Sequence, residues 1–274
     1  MVLRHRVRAR NTSPDSENKI HDDATAASFG FRGALVPGIT VYAYMTVPIV
    51  EKFGLAWLER GSMQVKFHQP FYNGDQVNIT AEADAGDPIK IAVTAAREDG
   101  TVCATALAAV NDRSAWLGEP ALEDYPEAGS PPGDARPVPS PESLLPGGLL
   151  GTVAEIVRAP DSAVLESLDE RLPIYRGDEA VAHPFNLLRL SNQILMSNFQ
   201  LGPWIHAASD LINWSTARDG EKISVRGRIA DRFDRKGHEF VVLEVLLVAG
   251  ESRVVQQVRH TAIYRPRINQ IENP

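Results

Sequence analysis

Apolar residues in this chain fall into two kinds of run. One is solid: Ile39-Thr40-Val41-Tyr42-Ala43-Tyr44-Met45-Thr46-Val47 is nearly apolar all round, as in a helix enclosed by protein rather than laid on a surface. Pro37 sits near its first turn, where a missing N–H costs nothing, Pro48 is expected to kink or thin the last turns, and Gly54 to end the helix. The other kind is shorter and strand-like, bounded by turn residues. Residues 2–9 form such a run ahead of the helix, and 62–72, 77–83, 89–96 and 101–110 follow it, with Asn73-Gly74-Asp75 and Asp99-Gly100 among the separators. One buried helix followed by a strand meander predicts a sheet wrapped around a helix.

The pattern then stops and starts again. Between 120 and 148 stand Pro120, Pro126, Pro131, Pro132, Pro137, Pro139, Pro141 and Pro146, with few large apolar residues. That composition predicts an extended linker, poorly able to form a core. Beyond it the first half is echoed. Phe31-Arg32-Gly33…Val36-Pro37 returns as Tyr175-Arg176-Gly177…His183-Pro184, followed by an apolar helix from Phe185 through Phe199. Asn73-Gly74-Asp75 returns as Asp219-Gly220-Glu221, and the strand around Val102 as the strand from Val254 to Tyr264. Four echoes in order indicate an internal repeat. The expected organisation is an N-terminal domain over 1–118, a linker over 119–148 and a C-terminal domain over 149–274. The fold class is α+β, two antiparallel sheets each wrapped around a central helix, the halves facing each other as the subunits of a homodimer do, with their sheets joining into one.

Composition narrows the function. A net charge of −7, from 28 basic and 35 acidic residues, argues against a nucleic-acid partner. Arg4, Arg6, Arg8 and Arg10 alternate with Leu3, His5, Val7 and Ala9 and read as the solvated face of the first strand. Cys103 lies in an apolar run and reads as a small buried hydrophobe; alone, it forms neither a disulfide framework nor a cysteine metal site. No apolar span has membrane length and the N-terminal stretch lacks an apolar h-region, so a cytoplasmic protein without a membrane partner is expected. His68, His238 and His260 show no metal-ligand spacing, and Gly30-Phe31-Arg32-Gly33 lacks the spacing of a nucleotide loop, so neither metal nor cofactor is expected.

The chemistry concentrates between Ser16 and Gly38. Glu17, Asn18, His21, Asp22 and Asp23 crowd one stretch, small residues follow, and Val36-Pro37-Gly38 opens the buried helix. A proton-transfer group beside a helix start with free backbone N–H groups suits an acyl thioester. Asp22 and Asp23 read as helix caps, with contact to substrate as the alternative, His183 and His206 as structural, with lining of an acyl tunnel as the alternative, and Ser16, with no nucleophile elbow around it, as a loop or cap residue.

Ser16-Glu17-Asn18-Lys19-Ile20-His21, then Asp23, Ala27, Phe29 and Phe31, then Leu35-Val36-Pro37-Gly38, resemble the motif of the MaoC-like hydratase/dehydratase family. That motif reads Asp-x-Asn-Pro-Leu-His, then Asp, Ala and Phe residues, then Ile-Val-His-Gly. The resemblance implies the fused double hot-dog fold and the addition or removal of water at an enoyl or 3-hydroxyacyl thioester. It implies His21 as the catalytic imidazole, Gly38 as the oxyanion donor and Asn18 as a residue holding the site. Phe31, Val36, Pro37 and Tyr42 are the expected substrate-binding residues. The family's Asp corresponds to Ser16, its Pro to Lys19 and its helix-start His to Pro37. Asp15 and Glu17 flank the vacant position, and a carboxylate from either reaches the site only by a changed loop path; Glu17 taken by itself reads as a solvated charge rather than a base. The second half carries no such motif, which assigns it a supporting role. The implied partner is an acyl-CoA or acyl-carrier thioester, and a homodimer is compatible with the fold. The alternatives are a weak or inactive acyl-CoA binder and, last, a thioesterase, for which the helix from Gly38 to Val47 lacks a carboxylate.

Overall fold

The computed structural model describes residues 1–110 and 120–267. The first half supplies β1 (Val2–Arg8), α1 (Asp23–Ser28), α2 (Gly38–Phe53), α3 (Leu55–Arg60), β2 (Gly61–Phe67), β3 (Gln76–Ala83), β4 (Lys90–Ala96) and β5 (Val102–Val110). The second supplies β6 (Leu149–Ile156), α4 (Ser162–Ser167), α5 (Pro184–Asn198), β7 (Ile205–Asn213), β8 (Lys222–Arg235), β9 (His238–Ala249) and β10 (Arg253–Arg265). Apart from the short helices, this is one plan used twice.

The strands lie in the order β1-β3-β4-β5-β2-β7-β10-β9-β8-β6, all neighbours antiparallel. Outward from the centre, each half runs second strand, fifth, fourth, third, first. The sheets of the two halves join, as the facing arrangement predicts, and the described residues form one continuous ten-stranded sheet. Its seam is the β2–β7 pair, with Ser62 opposite Ile212 and Val65 opposite Ser209. The reason is hydrogen-bond satisfaction: β2 and β7 would otherwise each present an unpaired edge.

α2 packs on β1, β3, β4 and β5, reaches across the seam to β7, and lies against α5. Every residue from Ile39 to Val50 is buried, the enclosure that an all-round apolar sequence demands. The helix runs through Pro48 to Phe53, and Gly54, at φ 57°, ends it. α3 was not expected. Its Trp57 lies so close to Gly61 that an added Cβ there would stand 2.2 Å from the indole, and Asn213 of β7 donates to the Trp57 carbonyl at 3.0 Å.

The proline-rich stretch, expected to contribute little to a core, buries Tyr125 and Leu144. Tyr125 packs with Leu246 and Val248 of β9, while Val245 and Leu247, the alternate residues of that strand, join the main core. Tyr125 therefore covers the sheet face turned away from α5, whereas Leu144 joins the main core. The boundary expected at 118–119 lies outside the described residues. Cys103 is fully buried and burial pushes its thiol pKa up. No helix among the described residues is long and apolar enough to cross a membrane.

Candidate active site

Two features of the chain make the site: a strapped loop and an open helix end. The loop carries His21 on a short 3-10 turn, Lys19–His21, that Asn18 caps by accepting from the Ile20 amide. Ile20, Ala26 and Leu35 bury together under Phe29, Phe31 and Tyr72, a small apolar cluster that pins the turn against the strand-like segment before α2. The Leu35 amide donates to the Ile20 carbonyl at 3.2 Å, and the Val36 amide to the Phe71 carbonyl at 2.9 Å. Asp22 caps α1 by accepting from the Thr25 amide, and Asp23 accepts from the Ala34 amide at 2.7 Å.

This strapping sets the chemistry of His21. Its Nδ1 lies 2.7 Å from the Leu35 carbonyl oxygen. A carbonyl only accepts, so Nδ1 carries the proton and Nε2 is a lone pair. Burial holds the imidazole pKa below its ordinary value, which keeps that lone pair unprotonated at neutral pH. Nε2 faces the Asn18 amide nitrogen at 3.4 Å.

Asn18 joins the two halves. Its Nδ2 donates to the Trp204 carbonyl at 2.9 Å and its Oδ1 accepts from the Trp204 amide at 3.1 Å. With the Ile20 amide and His21 Nε2, the carboxamide is fully used, which explains its burial.

The open helix end belongs to α2. Pro37 offers no side-chain cap, and the amides of Thr40 and Val41 turn back to the Pro37 carbonyl. The Gly38 and Ile39 amides have no acceptor among the described residues, so two donors and the positive end of a sixteen-residue helix are left available. The equivalent end of α5 is closed. Pro184 has no N–H, and His183 Nδ1 accepts from the Phe185 amide at 3.0 Å. His183 Nε2 in turn meets the buried Glu170 carboxylate at 3.3 Å, and hydrogen bonds from His183 and the Leu172 and Arg171 amides hold Glu170 below its ordinary pKa despite its burial. The second half has occupied its own helix start.

His21, Asn18, Phe31, Val36, Pro37 and Gly38 all line one cavity of about 390 Å³. Three expected residues do not. Tyr42 lies one position past cavity-lining Val41, on the face of α2 turned into the core, and is fully buried. Ser16 Oγ accepts from the Asn18 amide at 3.1 Å; it braces the loop. Glu17 is exposed and pairs with Arg136 at 3.4 Å, outside the cavity. No Asp or Glu among the described residues lines the cavity, and among them no three His, Cys, Asp or Glu side chains stand together as a metal site.

The second half contributes walls the sequence did not announce: Asn192 of α5, and Trp204, Ile205 and His206 at the start of β7. His206, read as structural, lies directly beneath the start of α2, where a Cβ on Gly38 would stand 2.9 Å from its Nδ1. Burial and the neighbouring His260 hold its pKa well below the ordinary value. No sequence signal marked it, since only the β2–β7 pairing brings β7 under α2.

No protein-family model and no curated protein matches this sequence. Solved structures do match it in shape. A conserved hypothetical protein of Mycobacterium tuberculosis, described as having a double hotdog fold, superposes with a TM-score of 0.67 at 14% identity over 96% of this chain and 95% of that one. A MaoC-like dehydratase gives 0.62 at 14% identity, covering 96% of this chain and 97% of that one. A protein assigned as an oleoyl thioesterase, from Lactobacillus plantarum, gives 0.52 at 11% identity over 98% of both chains. The shape shared over nearly the whole length, with each half repeating one strand order around one long helix, makes this chain a double hot-dog protein, of the fold that MaoC-like dehydratases also adopt.

Proposed function

We propose that the chain binds an acyl thioester between the His21 turn and the start of α2, and adds water to a trans-2-enoyl thioester or removes it from the 3-hydroxyacyl product. The observation that carries this reading is the pairing of an unprotonated His21 Nε2 with the unused Gly38 amide at a helix start on one cavity. In the hydration direction a water displaces the long 3.4 Å contact of Asn18 Nδ2 at His21 Nε2, Nε2 takes a proton from that water, and the water oxygen bonds to C3. The C2–C3 π electrons move toward the thioester oxygen, where the Gly38 amide meets the developing charge. The imidazolium then returns the proton to C2, so one water is added and the base is restored. With no carboxylate on the cavity wall, a single imidazole performs both transfers, and the rate is expected to be low for the fold.

Hydration of crotonyl-CoA and longer or branched enoyl-CoAs tests it. Turnover is expected, and His21→Ala should lower it by about a hundredfold or more. Binding of acyl-CoA, read as thermal stabilisation, without turnover of any of these would favour the second reading, a non-catalytic thioester binder, which the missing carboxylate supports. Release of free thiol would favour a thioesterase, and neither binding nor turnover would overturn the thioester site altogether.

A further inference from the structure

His206 is held in an arrangement that packing alone does not require. In a regular strand, residues 206 and 209 would face opposite sides of the sheet. Here β7 bulges: Thr261 of β10 pairs with Ala208 and Ala262 with His206, leaving Ala207 without a partner. The extra residue turns His206 and Ser209 to the same side. His206 Nε2 meets Ser209 Oγ at 2.8 Å, and Ser209 Oγ meets His260 Nδ1 at 3.0 Å from the directly opposite position on β10. The two imidazoles lie 4.4 Å apart, and Phe67 of β2 packs on His206 at 4.7 Å. All three polar residues are buried, and His206 Nδ1 has no hydrogen-bond partner. That orphan atom is turned to Gly38, at the open end of α2.

The serine has one proton to place between two rings. If it donates to His260, the unpaired hydrogen sits on His260 Nε2, in a residue with no exposure, where no acceptor lies among the described residues. If it donates to His206 Nε2, His260 donates to the serine from Nδ1 and keeps only a bare acceptor. The unpaired hydrogen then sits on His206 Nδ1, beside the free helix amides. A buried donor without a partner is the costlier defect, so the second arrangement is favoured once a ligand oxygen is present.

We propose that the C-terminal half supplies a second donor of the oxyanion site: His206, held by Ser209 and His260 with its proton on Nδ1, donates to the thioester oxygen beside the Gly38 amide. The inference rests on the thioester reading above. Ser209 and His260 are positioning residues that select the tautomer. A neutral imidazole is the right donor here, because an imidazolium beside the positive end of a helix would be repelled and would hold its proton for transfer rather than share it. Gly38 has a second reason to be glycine: the ring rests on its Cα, where no side chain resists the tilt that admits an oxygen.

The test uses the full chain and butyryl-CoA, a saturated ligand that cannot turn over, labelled with carbon-13 at the thioester carbonyl. Calorimetry reads binding and difference infrared reads the bound carbonyl. In the wild type the carbonyl band should move to lower frequency than in water. His206→Asn, which can place an amide N–H near the position of Nδ1, should keep most of that shift, and His206→Leu should lose much of it while lowering kcat for crotonyl-CoA about a hundredfold with little change in KM. Ser209→Ala, which leaves the imidazole in place but frees its tautomer, should give an intermediate shift and serves if the leucine variant does not fold. An unaltered carbonyl band in bound His206→Leu, or in Ser209→Ala where that variant stands in, overturns the proposal and leaves the thioester reading intact. Failure of the wild type to bind butyryl-CoA overturns the thioester reading, and the proposal with it.

Discussion

Acid should weaken this protein well before its carboxylates titrate. His260 is fully buried, and burial lowers its pKa to about 3, against about 6.5 in an unfolded chain. Between those values the unfolded chain binds a proton that the folded chain refuses. The stability is therefore intact above about pH 6.5 and falls as the pH drops through that window. At pH 5, about 1.5 units below the unfolded value, the loss from this one residue is about 2 kcal/mol. His206, buried beside it with its pKa also depressed, adds a loss of the same sign. Urea unfolding followed by tryptophan fluorescence at pH 7 and pH 5 measures the total. His260→Gln keeps an acceptor and donor for Ser209 but does not titrate, so its loss between the two pH values should be smaller by about 2 kcal/mol. Glu170, Glu221 and Glu239, whose pKa values are lowered, lose their contribution only below about pH 4.5, under the range between pH 7 and pH 5 that is compared. The other histidines with depressed values, His5, His21 and His238, are common to both proteins and cancel in the comparison. Equal losses in wild type and variant would refute the reasoning.

Gly38→Ala would place a methyl 2.9 Å from His206 Nδ1 and 3.1 Å from its Cβ and Cγ; with the ring held by Phe67 and His260, the variant should lose about 1–3 kcal/mol of stability and its acyl-CoA binding, read by denaturation and calorimetry. Asn18→Ala strands the Trp204 amide and carbonyl and the Ile20 amide. At about 1–3 kcal/mol for each buried group left unpaired, it should cost at least about 2 kcal/mol, seen as a lower urea midpoint at an unchanged m-value. Glu17→Gln, which touches only Arg136 on the surface, should leave hydration within about twofold of wild type; a loss comparable to that of His21→Ala would mean Glu17 is the missing carboxylate.

Much of the fold was legible because local patterns carry it. The strands of the first half fall within a few residues of their expected bounds, since alternation and turn residues mark a half-buried strand without reference to its neighbours. The helix from Gly38 was legible because nine nearly apolar residues in a row admit few other placements. α3 was not: six residues between Gly54 and Gly61 are too short for a periodicity, and their helix is held by Trp57 packing and by Asn213 from the other half. The candidate site was legible in part. His21, Asn18 and Gly38 lie within one stretch and meet in one cavity, whereas Tyr42 was misplaced because a helix apolar on all sides does not declare which face looks into a cavity.

What the sequence determined by itself is the repeated plan: strand, long buried helix, strand meander, twice, with the Asn18-x-x-His21 spacing ahead of the helix in the first copy alone. Those features are local in the chain, so composition and spacing suffice to specify them. Tertiary structure decided how the copies combine. The β2–β7 pair sets where and in what register the expected joining of the sheets occurs and carries His206 beneath Gly38, and the bulge at Ala207 turns Ser209 toward it. These depend on register between strands far apart in the chain, which side-chain packing and hydrogen-bond closure choose only once both halves are folded.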